Sequence, residues 1–432
     1  MSSINRTQLF RASCLSLLVT SLSFGIRAGT LNDFGKVFNL DTTQLAAITA
    51  TAFYGFPIAV VIGGIIVDII GMKRLLILAF LFHLAGILLT VFATGYWTLY
   101  ISTLLIGIAN GTVEAACNPL VTTLYPDSKT TKLNHFHLWF PGGIVIGTLL
   151  VFAINAMHLN WDMHTSIQVK VGLMLIPTVI YGYLFSKLSF PPTERVSSGV
   201  STAGMYGALI NPLFLFMFIC MFGTAITELF TGQWIDVLLK NVTDNAILIL
   251  TLDTGVMVIG RAFARPVLKL FPPQVLLLIS TILAALGIYL LSTVTGPGIY
   301  AAAVIFGMGV CYFWPTMLGF VNTNLPKTGA IGLNLMGGAG MFAVSIYMIF
   351  MGKHYDNIVS AKLPSGVTLQ AAMAAKPGSQ LETIYNQAKS AAGPQVLHLT
   401  LFIPLVLIVA FGGLVLYMRS RNKTKPLQQV AV

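Results

Sequence analysis

Gly64-Ile65-Ile66-Val67-Asp68-Ile69-Ile70-Gly71-Met72-Lys73-Arg74 lies between two long apolar runs, 43–67 and 75–94. A helix crosses roughly 30 Å of hydrocarbon in about 20 mostly apolar residues, and each run is long enough to do so. An acid closes the first run, Gly71 permits a tight turn, and two cations open the next. The stretch reads as a short polar connection between two membrane spans, able to pack and re-pair as they shift.

The same alternation of apolar run and polar punctuation continues in both directions. Spans are expected at 11–37, 43–67, 75–94, 98–122, 133–157 and 168–188, and again at 212–238, 246–264, 274–294, 298–320, 329–351 and 396–418. Helices satisfy their own backbone polar groups inside hydrocarbon without leaving an edge. The expected fold is therefore an all-α membrane protein of twelve transmembrane helices in two six-helix bundles, 1–189 and 212–432. Phe190-Pro-Pro-Thr-Glu-Arg-Val-Ser-Ser-Gly begins a central loop over 190–211, and the polar segment 352–395 reads as an external loop. The first run is followed by Arg27 and Asn32-Asp33 without a small-residue cleavage pattern, so it reads as a retained span.

Composition agrees. The 432 residues are 56% hydrophobic and 9% charged, with a mean hydropathy of +0.85, whereas soluble domains carry about a quarter charged residues. A water-soluble enzyme, a disordered tail and a disulfide scaffold are excluded; Cys14, Cys117, Cys220 and Cys311 all sit in apolar runs. The net charge of +11 does not point to nucleic acid, because the basic residues punctuate apolar segments. With the amino terminus cytoplasmic, sixteen of the 24 lysines and arginines fall inside and seven outside, with Arg27 within the membrane. The positive-inside rule then puts both termini in the cytoplasm of a plasma-membrane protein.

The spacing G-x3-D-x2-G-x-[KR]-[KR], carried by Gly64, Asp68, Gly71, Lys73 and Arg74, resembles the signature of the major facilitator superfamily. A worn second copy, Gly260-Arg261-Ala-Phe-Ala264-Arg265-Pro, follows span eight, as expected of repeated halves. Both copies are read as gating elements.

Charges inside spans are expensive and usually face a cavity or a partner. Those here are Arg27 and Asp33 in span one, Glu114 in span four, Glu228 in span seven and Asp253 in span eight. Asn118 follows Glu114 by one turn on the same face. Leu31-Asn32-Asp33, Glu114-Ala-Ala-Cys-Asn118-Pro119 and Lys132-Leu133-Asn134 together resemble the fucose:proton symporter family. That resemblance implies that Asp33 and Glu114 correspond to two acids linked to proton coupling and sugar binding, and that His137 stands where a substrate-binding glutamine is found. His135, about 200° round the helix, cannot face the same cavity as His137, and His83 reads as structural. Phe313-Trp314-Pro315-Thr316 is similar to the family's F-P-T segment.

Asn32, Glu114, Asn118, His137, Glu228, Gln233, Trp234 and Trp314 form the expected substrate set, with Trp139 a further aromatic candidate. Acid, amide and indole together suit the polar edges and the C–H face of a sugar. Arg27 is a possible partner of Asp33 or Glu114, and Asp253 an intramembrane acid of open role. The expected function is proton-coupled sugar uptake by alternating access, with sodium-coupled symport or proton-coupled export of drugs or other organic solutes as alternatives. No enzyme signature, metal-ligand cluster or cofactor motif stands in the sequence.

Overall fold

A computed structural model describes residues 4–40, 42–193, 202–232 and 246–423. Among them, eleven helices are long and apolar enough to cross a membrane. Ala246–Ala262 occupies the place of the eighth span. No strand occurs among the described residues.

In chain order the spans are Arg6–Phe38, Thr42–Ile70, Met72–Val91 and Tyr96–Leu124, then Lys129–His137 with Trp139–Ala156, and Met163–Gly172 with Leu175–Lys187. The second set comprises Pro212–Ala225 with a π-turn at Ile226–Phe230, then Ala246–Ala262, Pro273–Thr293, Gly298–Val310 with Phe313–Asn324, Gly329–Ala361, and Gln380–Thr400 with Phe402–Lys423. The packing repeats between sets. Spans two and three pack on four, one on five, and three on six; eight and nine pack on ten, seven on eleven, and nine on twelve. Span two lies against span eleven, and span five against spans eight and ten, which joins the halves.

Small residues permit the closest crossings. A Cβ on Gly111 would fall 2.2 Å from the Phe56 carbonyl oxygen, and one on Gly107 would fall 2.7 Å from Ala52 Cα. Spans two and four thus touch backbone to backbone through a G-x3-G spacing, which suits association inside lipid. Gly111→Ala is expected to destabilise the fold by about 1–3 kcal/mol through overpacking, read as a lower denaturation midpoint in detergent. Gly142→Ala, whose Cβ would meet Val258 at an ordinary 3.8 Å, should leave the midpoint unchanged.

Two connecting segments carry helix. The segment 352–395 is largely helical: span eleven runs to Ala361, and Gln380–Thr400 leads into the last helix, leaving 362–379 with the short helix Leu369–Met373. Ser379 caps that entry by accepting the Glu382 N–H at 3.2 Å. A helix need not be apolar throughout, so hydropathy alone does not find this one. Within the central 190–211 segment, Thr202–Leu209 is a helix, while 194–201 fall outside the described residues.

Candidate functional site

The fourth span carries Glu114 into the interior, 3% exposed. Asn118 donates Nδ2 to Glu114 Oε2 at 2.6 Å, and its Oδ1 lies 3.0 Å from His137 Nε2. An amide oxygen only accepts, so Nε2 carries the hydrogen of this contact. His137 Nδ1 is then turned to Glu114 Oε1, 3.7 Å away. A single proton added to this pair has two resting places, the carboxyl oxygen and the ring nitrogen.

From the other half comes Arg261, 1% exposed. Its sockets follow from two prolines. Pro141 has no N–H to offer the carbonyl four residues back, at His137, and Pro315 likewise frees the carbonyl of Cys311. Arg261 Nη1 donates to His137 O at 2.8 Å, and Nε donates to Cys311 O at 2.6 Å. Nη2 pairs with Glu228 Oε1 at 2.9 Å, where the π-turn Ile226–Phe230 presents that acid. One guanidinium therefore ties spans five, seven, eight and ten together.

Glu114, His137, Glu228 and Arg261 line a cavity of about 20 Å³ with Phe56, Phe140, Leu229, Trp314 and Met341, while Asn118 stands behind Glu114 and His137 and does not line it. That volume admits about one water, so the halves must part before a solute of sugar size can enter. Trp314 Nε1 and Glu228 Oε2 are buried without a hydrogen-bond partner.

Several expected residues lie elsewhere. Asp33 does not line the cavity; its carboxylate pairs with Lys170 Nζ at 3.2 Å, and Lys170, one of the seven cations counted on the outer side, is 2% exposed. Arg27 pairs with neither Asp33 nor Glu114 and lies over the Phe24 ring at 5.0 Å. Asp253, 2% exposed with Oδ1 unpartnered, packs on span ten at Gly307. Trp139 lies away from the cavity, 36% exposed. Gln233, Trp234 and the Asn32 side chain are outside the described residues. His83 is tied to the Tyr181 hydroxyl and Asn110 Oδ1, each at 2.7 Å, within the first bundle.

The loop motif divides by function. Gly64 makes room for span eleven, since its Cβ would fall 2.7 Å from Asn334 Cβ. Gly71 takes the left-handed turn with φ 86°. Asp68 accepts from the Thr193 hydroxyl, Lys73 caps the end of span six by donating to Ser186 O and Leu188 O at 2.9 and 3.0 Å, and Arg74 is exposed. In the second copy, Gly260 packs on Cys311 and Arg265 is exposed in the short helix Ala264–Leu270. Arg261 departs from the expected loop position because its side chain reaches into the core. Phe56, Phe140, Leu229 and Met341 were not singled out by sequence, since apolar residues in apolar spans carry no distinguishing signal.

Two matching helical bundles with ionisable groups gathered around a small cavity between them define a multi-pass membrane transporter. Residues 13–351 match the family model described as Major Facilitator Superfamily, and the chain belongs to that superfamily. It is 27% identical to the solute carrier family 2 facilitated glucose transporter member 10 of Danio rerio, over 39% of this chain and 32% of that protein. With the D-xylose transporter of Levilactobacillus brevis the identity is 25%, over 32% of this chain and 30% of the relative. The chain thus spans about a third of the length of these curated relatives. Among solved structures, the E. coli fucose:proton symporter superposes with a TM-score of 0.66 at 15% identity, covering 90% of this chain and 98% of the other. A bacterial homolog of the human lysosomal transporter Spinster, inward-facing and unoccupied, gives 0.69 at 13% identity, over 95% and 97%.

Proposed function

We propose that this protein carries a neutral sugar across the plasma membrane together with a proton, by alternating access, with both termini in the cytoplasm. The observation that carries the reading is the Glu114–Asn118–His137 cluster beside the cavity between the halves. It offers a place to hold a proton, and amide and imidazole groups for hydroxyls, beside the rings of Phe56, Phe140 and Trp314. The named activities of the glucose and xylose relatives support a sugar as cargo. In this reading, Glu114 and His137 share the coupling proton, Arg261 and Glu228 hold the facing wall, and the halves part on one side at a time. Asp33 is assigned to holding span one against span six through Lys170.

The test is uptake of labelled glucose, xylose, fucose and inositol into proteoliposomes, under an inward proton gradient and separately a sodium gradient. Accumulation of at least one sugar with the proton gradient alone is expected; if none accumulates under either gradient, sugar symport is wrong. The apolar share of the lining favours a second reading, export of an organic solute. Ethidium efflux without sugar uptake would select it.

A further inference from the structure

Among the described residues, hydrogen bonds that cross from the second half to the first include three that share one feature. Asn334 Nδ2 donates to Ala115 O at 3.1 Å, four residues before Pro119. Ser345 Oγ, which also meets Met341 O at 2.9 Å, lies 3.2 Å from Phe53 O, four residues before Pro57. Arg261 Nη1 donates to His137 O at 2.8 Å, four residues before Pro141. A fourth contact runs the other way: the His135 ring meets the Ala262 backbone, four residues before Pro266.

In an α-helix the N–H at position i closes on the carbonyl at i−4, and proline has none to give. Each of these carbonyls is therefore left open by its own helix. A bare carbonyl in a low-dielectric interior is costly, and spans tolerate proline where a neighbour re-satisfies the freed group. Here the neighbour belongs to the opposite half. Pro177 offers a contrast: the carbonyl it frees, at Leu173, lies 3.4 Å from the Ile176 N–H of its own bundle.

We infer that Pro57, Pro119 and Pro141 are positioning residues that open carbonyl sockets on the first bundle for side chains of the second. These bonds form the latch that closes and opens as the carrier alternates. The sockets sit at two depths, Phe53 lying further than Ala115 from the end that bears the termini. Close approaches accompany them: Gly64 against Asn334, and Gly319, whose Cβ would fall 2.5 Å from Thr130 Oγ1. The Asn334 and Ser345 bonds are neutral, which suits the task, since each contributes about 1 kcal/mol and is broken at little cost once water enters; the Arg261 bond is charge-assisted and stronger. Replacing any of these prolines returns an N–H to the helix, which then competes for its own carbonyl.

The inference rests on the alternating-access reading, but its test needs no substrate and stands apart from whether sugar moves. Spin labels on Ile69→Cys and Lys327→Cys report the distance between halves at the terminus-bearing end, against four buried native cysteines. In nanodiscs without substrate, Asn334→Ala and Pro119→Ala are each expected to lower the ratio of short to long distances about five-fold, the equivalent of one such bond. The double variant should do no more than either single, because both remove the same contact. Ser345→Ala and Pro57→Ala form a second pair with the same expectation, should the first lower the yield of folded protein. Pro177→Ala should leave the distribution unchanged. Unaltered distances in both proline variants, or additive effects within both pairs, would overturn the inference.

Discussion

Glu114→Gln is expected to abolish uphill accumulation while leaving sugar exchange intact. The amide keeps the shape and can still meet Asn118 and His137, but it can neither take up nor release a proton. A gradient of one pH unit stores about 1.4 kcal/mol per proton, enough for about ten-fold accumulation at one proton per sugar. The variant should fall to simple equilibration, a ratio near one, while counterflow of labelled for unlabelled sugar continues. Asp33→Asn provides the contrast, because that carboxylate faces Lys170 at 3.2 Å and not the cavity. It should lose stability before it loses coupling. Accumulation by Glu114→Gln equal to the parent would remove this acid from the mechanism.

Arg261→Met is expected to be the most damaging substitution for the fold. It strands the Glu228 carboxylate inside the protein and leaves the His137 and Cys311 carbonyls without their donor. Breaking one side of a buried ion pair costs about 3–5 kcal/mol, which should appear as a sharply lowered denaturation midpoint in lipid–detergent micelles. Arg261→Lys keeps the charge but not the planar fork that serves three acceptors at once, and should fold with impaired transport. Arg261→Met combined with Glu228→Leu removes both charges and should recover much of the midpoint without transport, since apolar replacement of a buried pair is often neutral or stabilising. A single Arg261→Met variant with parental midpoint and uptake would show that the cation holds nothing together.

Long apolar runs made the spans legible, because crossing hydrocarbon fixes both their length and their composition. The Glu114–Asn118 contact followed from spacing on one helix, and the opposed faces of His135 and His137 followed from 100° per residue. Long-range partners were not legible in this way. Arg261 sits in a worn copy of a loop motif, and no local pattern says that it reaches span seven. Lys170 stands 137 positions from Asp33, and Arg27 reads as a carboxylate partner until the Phe24 ring is seen beneath it. The helix Gln380–Thr400 is polar over most of its length, so hydropathy alone leaves most of it in a connecting segment. The prolines carried more than a kink signal: counting back four residues from Pro57, Pro119 and Pro141 names the carbonyls on which the opposite half closes.

Proton coupling through the cavity is tested most directly by watching protons when sugar is added. Proteoliposomes loaded with a pH-sensitive dye, with no imposed gradient, should acidify inside when a transported sugar from the panel is supplied outside, and Glu114→Gln vesicles should take up label without that signal. Sugar entry into parental vesicles with no change in internal pH would contradict the account.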